Sequence, residues 1–226
     1  FKPGAMGMNR RALLASGAAA LLPESLPWYA VAASAWGIPW TRVPGVAVLS
    51  APADARLALV NDAVAYWNRA FAELGSAFRL GSVIMAVGTI SGADLKTLSN
   101  AVLGQGATPM PPLLQNLSGQ IVVALSDGEF ISFAARWPEQ SIALVAIKSD
   151  RAPPLTLPNV ARNVIAHEMG HTIGLGHSSD PAMLMCGRPA SCRPDAFASP
   201  TPHYFPLTAD EKVALLRMYP ASWGPQ

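Results

Sequence analysis

Three of the chain's four histidines, His167, His171 and His177, fall within residues 167–177. Residues four apart on a helix share a face, so His167 and His171 can aim two imidazoles at one point. Glu168 is turned away by about 100° on a helix of 3.6 residues per turn, and stands beside that point instead of on it. A third imidazole reaches the same point only if the helix stops and the chain folds back. Gly174 supplies the positive-φ freedom for that turn, and His177 follows it. Three neutral imidazoles on a zinc ion leave one tetrahedral position open to water, the arrangement of a catalytic site and not of a closed structural one. Zinc lowers the pKa of that water toward ~7, and Glu168 is placed to take its proton and later deliver it to a leaving amine. The plainer reading, histidines on a core or surface helix, leaves the glycine-broken return unexplained.

The flanking sequence indicates which elements hold these residues. Residues 43–49 are rich in β-branched side chains and read as a strand. Over residues 54–74, Leu57, Val60, Val64, Trp67, Phe71 and Leu74 recur at spacings of three and four, with Gly75 as a stop, which predicts an amphipathic helix. Residues 78–87 read as a second strand, 91–103 as a short helix ending at Gly104, and 104–119 as a proline-containing loop. Three more strands are expected at 121–125, 129–135 and 141–147, with Asp127-Gly128 as a tight turn between the first two. Pro153, Pro154 and Pro158 precede a helix running through Thr172. Thr208 and Glu211 form a capping box that starts a last helix. This order predicts an α+β fold with helices on a mixed sheet, with no internal repeat and no linker that would separate two domains.

Composition narrows the classes. With 51% apolar and 13% charged residues, the chain is not of the disordered type. Its net charge of +2 is spread out, without the basic block that nucleic acid would require. No apolar run reaches the ~18 to 20 residues of a membrane span. Residues 1–7 read as an expression scar. Residues 8–35 read as a signal-like or N-terminal pro-segment: Arg10 and Arg11, an apolar stretch over 12–22, then Ala33-Ser34-Ala35. The remainder, 36–226, is the expected catalytic domain, in a secreted or periplasmic protein. In that oxidising setting Cys186 and Cys192 are expected to form a disulfide, the alternative being two free thiols.

The run His167-Glu168-Met169-Gly170-His171-Thr172-Ile173-Gly174-Leu175-Gly176-His177 resembles the extended zinc motif of the metzincin endopeptidases. Ser178, directly after the third histidine, resembles the matrixin (matrix metalloproteinase-like) branch. Met185, with Met183 as competitor, is similar to the methionine of the family's Met-turn, and residues 207–219 are similar to its final helix. The resemblance implies a mixed five-stranded sheet with an active-site helix, a backing helix and a C-terminal helix. It implies one catalytic Zn2+ on His167, His171 and His177, with Glu168 as general base and acid. It also implies a protein or peptide substrate paired along an edge strand at 129–135, and a pocket wall formed by residues 186–206, with His203, Tyr204 and Phe205 as candidate lining.

Some features depart from that pattern. Upstream histidines for a second, structural zinc are absent from the sequence, as is a cysteine before the motif for cysteine-switch latency. Residues 87–119 look like an insertion, and Met185 is followed by Cys186-Gly187. Calcium is possible, but no loop spells a site for it. The expectation is therefore a monomeric zinc-dependent endopeptidase that hydrolyses peptide bonds with a zinc-bound water activated by Glu168. The alternatives are a zinc-binding module without turnover, and an enzyme held latent by its N-terminal segment.

Overall fold

The computed structural model describes residues 37–104 and 106–225, together with Phe1. Residues 8–35, read above as a signal-like or pro-segment, lie outside the described residues, as do residues 2–7 of the stretch read as an expression scar. In chain order the elements are β1 (Gly45–Leu49), α1 (Arg56–Glu73), β2 (Val83–Met85), α2 (Gly92–Leu103), β3 (Gln120–Leu125), β4 (Phe133–Trp137), β5 (Ile142–Ile147), α3 (Pro158–Thr172) and α4 (Ala209–Met218). The five strands form one sheet in the order β2-β1-β3-β5-β4. All neighbours are parallel except β4, which runs antiparallel along β5 at the edge. The expected α+β class with a mixed five-stranded sheet is what the chain forms.

Alternation along the strands divides the core into two halves. Val46, Val48, Ile121, Val123, Val145 and Ile147 face the side that carries α1 and α3. Ala47, Leu49, Val122, Ala124, Leu144 and Ala146 face Leu95 and Leu98 of α2 and Leu114 of a 3-10 turn over Pro112–Leu117. A sheet covered on both faces needs apolar residues at consecutive positions, and β3 and β5 have them. The stretch 87–119 that reads as an insertion is thus the second layer. Helix α1 buries Val60, Val64, Trp67 and Phe71 as its periodicity predicts. No helix among the described residues is long and apolar enough to cross a membrane.

Three local expectations need correction. The Asp127-Gly128 pair does not close a hairpin, because β5 lies between β3 and β4. Beyond β3, the Ser126 N–H continues the pairing with the carbonyl of Ile147 (3.0 Å), so the more deeply buried strands share the centre and the less buried β4 takes the edge. The strand expected at 129–135 forms instead over Phe133–Trp137. The strand expected at 78–87 shortens to Val83–Met85, because the Asn68 side chain holds both the N–H (2.7 Å) and the carbonyl (3.0 Å) of Leu80.

Arg56 fastens α1 to the carboxyl ends of two central strands. Its side chain, 3% exposed, donates to both oxygens of Asp54 (3.0 and 2.7 Å) and to the carbonyls of Ser126 (3.0 Å) and Lys148 (2.7 Å). Burial pushes the Asp54 carboxyl up, but the hydrogen bonds and charge of Arg56 outweigh it and leave the pKa below 3.8. This contribution to stability is present above about pH 4 and is lost as pH falls through the lowered pKa. Arg56→Ala is expected to cost roughly 3 kcal/mol in urea unfolding at pH 7. The gap from the parent protein should narrow below pH 4.

Candidate metal centre

Helix α3 opens with Pro158, whose missing N–H would be unsatisfied at that position anyway. It packs against α1 at a close approach. The Trp67 indole donates to the Ala166 carbonyl (3.0 Å), and a Cβ on Gly170 would lie 3.0 Å from the Trp67 ring and 2.5 Å from the sulfur of Met185. Met185 is fully buried and Met183 only partly, so Met185 is the methionine that lies against the helix between His167 and His171.

The helix ends in a Schellman turn. The Leu175 N–H bonds to the Gly170 carbonyl (3.0 Å), and the Gly174 N–H to that of His171 (3.1 Å), with Gly174 at φ +103°. Side chains reach the last carbonyls: Trp40 Nε1 donates to Thr172 (2.8 Å) and the Tyr219 hydroxyl to Ile173 (3.0 Å). A Cβ at Gly174 would also meet the Met218 sulfur at 2.7 Å, so α4 closes over the turn.

This turn returns His177 to the two helical histidines. Nε2 of His171 lies 3.2 Å from Nε2 of His167 and 3.0 Å from Nε2 of His177. One nitrogen from each ring lies within 4.8 Å of the others. Tetrahedral zinc with Zn–N of 2.0–2.1 Å has ligand nitrogens about 3.3 Å apart. Each Nδ1 donates to a backbone carbonyl: His167 to Leu184 (2.7 Å), His171 to Leu175 (2.8 Å), His177 to Arg188 (2.8 Å). A carbonyl only accepts, so all three Nδ1 carry the proton and the neutral rings turn Nε2 lone pairs toward one another. Burial lowers the pKa of His167 to about 4, with the His177 charge adding to the effect. Burial also lowers that of His171 far, and of His177. This donor set fits a borderline-soft cation such as zinc.

Glu168 is buried beside this group, and burial pushes its carboxyl up to about 8. A cation held by the imidazoles would favour the ionised form and pull that value back down.

The fourth histidine, His203, stays outside. It is exposed, stacks on Phe205 (5.0 Å between centroids), and Tyr204 stacks on Tyr66 of α1 (4.2 Å). Two asparagines that the sequence reading passed over pin this loop. Asn159 donates to the Phe197 carbonyl (2.8 Å) and accepts from the His203 N–H (2.8 Å). Asn163 donates to the His203 carbonyl (2.9 Å) and accepts from the Phe205 N–H (2.9 Å). The signal is present in the spacing: 159, 163, 167 and 171 are polar positions four apart, all of them buried, on one face of the helix. Cys186 and Cys192 are joined in a disulfide.

The matrixin family model matches residues 138–199, about a quarter of the chain. No curated protein matches it. Among solved structures, it is similar to archaemetzincin from Methanopyrus kandleri (TM-score 0.47, 16% identity, covering 79% of this chain and 96% of that one). It is similar to metalloproteinase-II from Bacteroides fragilis (TM-score 0.45, 13% identity, 80% of this chain and 54% of that one). It is also similar to a zinc-dependent peptidase from Methanocorpusculum labreanum (TM-score 0.40, 14% identity, 76% and 98%).

Two outcomes follow from this geometry. Free zinc at a thousand times its Kd should stabilise the protein by about 4 kcal/mol, seen as a rise in thermal midpoint that a chelator reverses and His171→Ala removes. Asn163→Ala strands the Phe205 N–H and the His203 carbonyl, and should cost about 1–3 kcal/mol in chemical unfolding.

Proposed function

We propose that the protein is a zinc-dependent endopeptidase of the matrixin type, acting as an exported monomer on protein or peptide substrates. The observation that carries this reading is the convergence of three Nε2 atoms, with a buried carboxyl on the helix residue after His167. His167, His171 and His177 would hold the ion. Zinc in such a site acidifies water and polarises the carbonyl to be attacked.

The protein's own groups supply the proton chemistry. Glu168, one position along the helix from His167, takes a proton from the attacking water as its oxygen bonds to the carbonyl carbon. It then passes that proton to the amide nitrogen as the C–N bond breaks. Burial of the carboxylate keeps bulk solvent away and strengthens its coupling to nearby charge. Among the described residues β4 pairs on one side only, with β5, and an extended substrate would align along its other side. Export is supported by the basic and apolar pattern of residues 8–35 and by the Cys186–Cys192 disulfide.

A second reading is latency through the N-terminal segment. Gly37, the first described residue after that segment, donates its N–H to the Gly174 carbonyl (2.9 Å), in the turn that precedes His177.

The test is digestion of an unfolded protein substrate. Cleavage should stop with chelator and return with zinc. Glu168→Gln should lower kcat at least ~100-fold while zinc affinity persists. Equal cleavage by both proteins would remove Glu168 from the chemistry, and zinc binding without any cleavage would favour the non-catalytic module. Cleavage that begins only once residues 8–35 are removed would establish latency.

A further inference from the structure

The three histidines are not held alike. His167 and His171 are buried on α3, and their carbonyl partners, Leu184 and Leu175, are buried residues of the core. His177 is the exposed member of the group and lies beyond the end of the helix. Two of its contacts come from one short loop. Its Nδ1–H donates to the Arg188 carbonyl (2.8 Å), and its ring presses on Gly187 so closely that any Cβ there would overlap ring atoms.

Gly187 and Arg188 both lie inside the ring closed by the Cys186–Cys192 disulfide, whose Cα atoms are 5.8 Å apart. One end of that ring is fastened beside the ligand itself. The Ser178 N–H bonds to the Met185 carbonyl (2.8 Å) and the Gly187 N–H to the Ser178 carbonyl (3.2 Å). Arg188 and Pro189, farther along, are exposed, in a turn closed by the Ala190 N–H on the Gly187 carbonyl (3.0 Å). A short covalent ring limits the conformations open to such a loop, and so presets the carbonyl before any ion arrives.

We propose that the Cys186–Cys192 disulfide is a positioning element of the metal centre, which fixes the Arg188 carbonyl and thereby turns His177 toward the other two imidazoles. This rests on the reading of the three histidines as metal ligands, and does not depend on turnover. Partners one step removed from a metal ligand typically matter 10- to 100-fold in metal affinity.

The experiment is a double-mutant cycle on the full chain, with zinc affinity measured by competition against a chromogenic chelator. The four proteins are the parent, Cys186→Ala/Cys192→Ala, His177→Ala, and the combination. Removing the disulfide should weaken zinc binding about 10- to 100-fold when His177 is present. It should change binding no more than about twofold when His177 is already gone. Cobalt substituted for zinc should give a weaker tetrahedral absorption band in the disulfide-free protein than in the parent. Equal losses in both backgrounds would show general loosening of the fold and overturn the proposal, as would no loss in either. Failure of the parent protein to bind zinc would overturn the metal site itself, whereas tight zinc binding without cleavage would count only against the endopeptidase reading. A Cys186→Ser/Cys192→Ser protein read in the same way serves if the alanine protein does not fold.

Discussion

Three imidazole nitrogens gathered within 4.8 Å of one another, with His171 Nε2 about 3 Å from each of the other two, are the constraint on which the rest of the structure depends. Each ring has its Nδ1 proton committed to a backbone carbonyl, which leaves Nε2 bare in the neutral form. Protonating those nitrogens would place like charges together in a buried site, and burial already pushes the histidine pKa values down. Left to themselves the lone pairs repel. A shared cation relieves the repulsion without adding a proton, and three nitrogen donors with an acid nearby is a set suited to zinc.

The fold meets this constraint by making α3 rigid and its end abrupt. The sheet supplies a flat apolar floor, and α1 reaches the helix closely because Gly170 has no side chain to hold it off. Trp67, Trp40 and Tyr219 each place a polar atom on an α3 carbonyl while burying their rings, so the helix is fastened from three directions. The Schellman turn at Gly174 then sends the chain back within a few residues. Met185 fills the space under the helix, and its carbonyl takes the N–H of Ser178, next to the last histidine.

The grouping of the three histidines is legible in the sequence because everything it needs is local: a helical repeat that puts His167 and His171 on one face, and a glycine where φ must be positive. The capping box of Thr208 and Glu211 is readable for the same reason and forms as expected. The failures concern choices made between distant segments. Asp127-Gly128 has good turn chemistry, but which strand pairs with β3 is decided by burial on both sheet faces, and β5 outcompetes β4 there. Residues 78–82 read as part of a strand, yet a side chain of α1 takes the hydrogen bonds of Leu80. The carbonyl partners of the histidines have no sequence signature, since every residue carries a carbonyl and only the path of the chain decides which one is used.

All three Nδ1 protons are taken by main-chain oxygens. Replacing Leu184, Leu175 or Arg188 changes the group beyond Cβ but leaves the acceptor in place. Evolution can therefore vary these residues widely at little cost to coordination. A single-residue insertion or deletion between His177 and Leu184, or within the short cystine ring, would shift an acceptor out of register altogether. Drift in this region should thus proceed by exchange of residues at constant length.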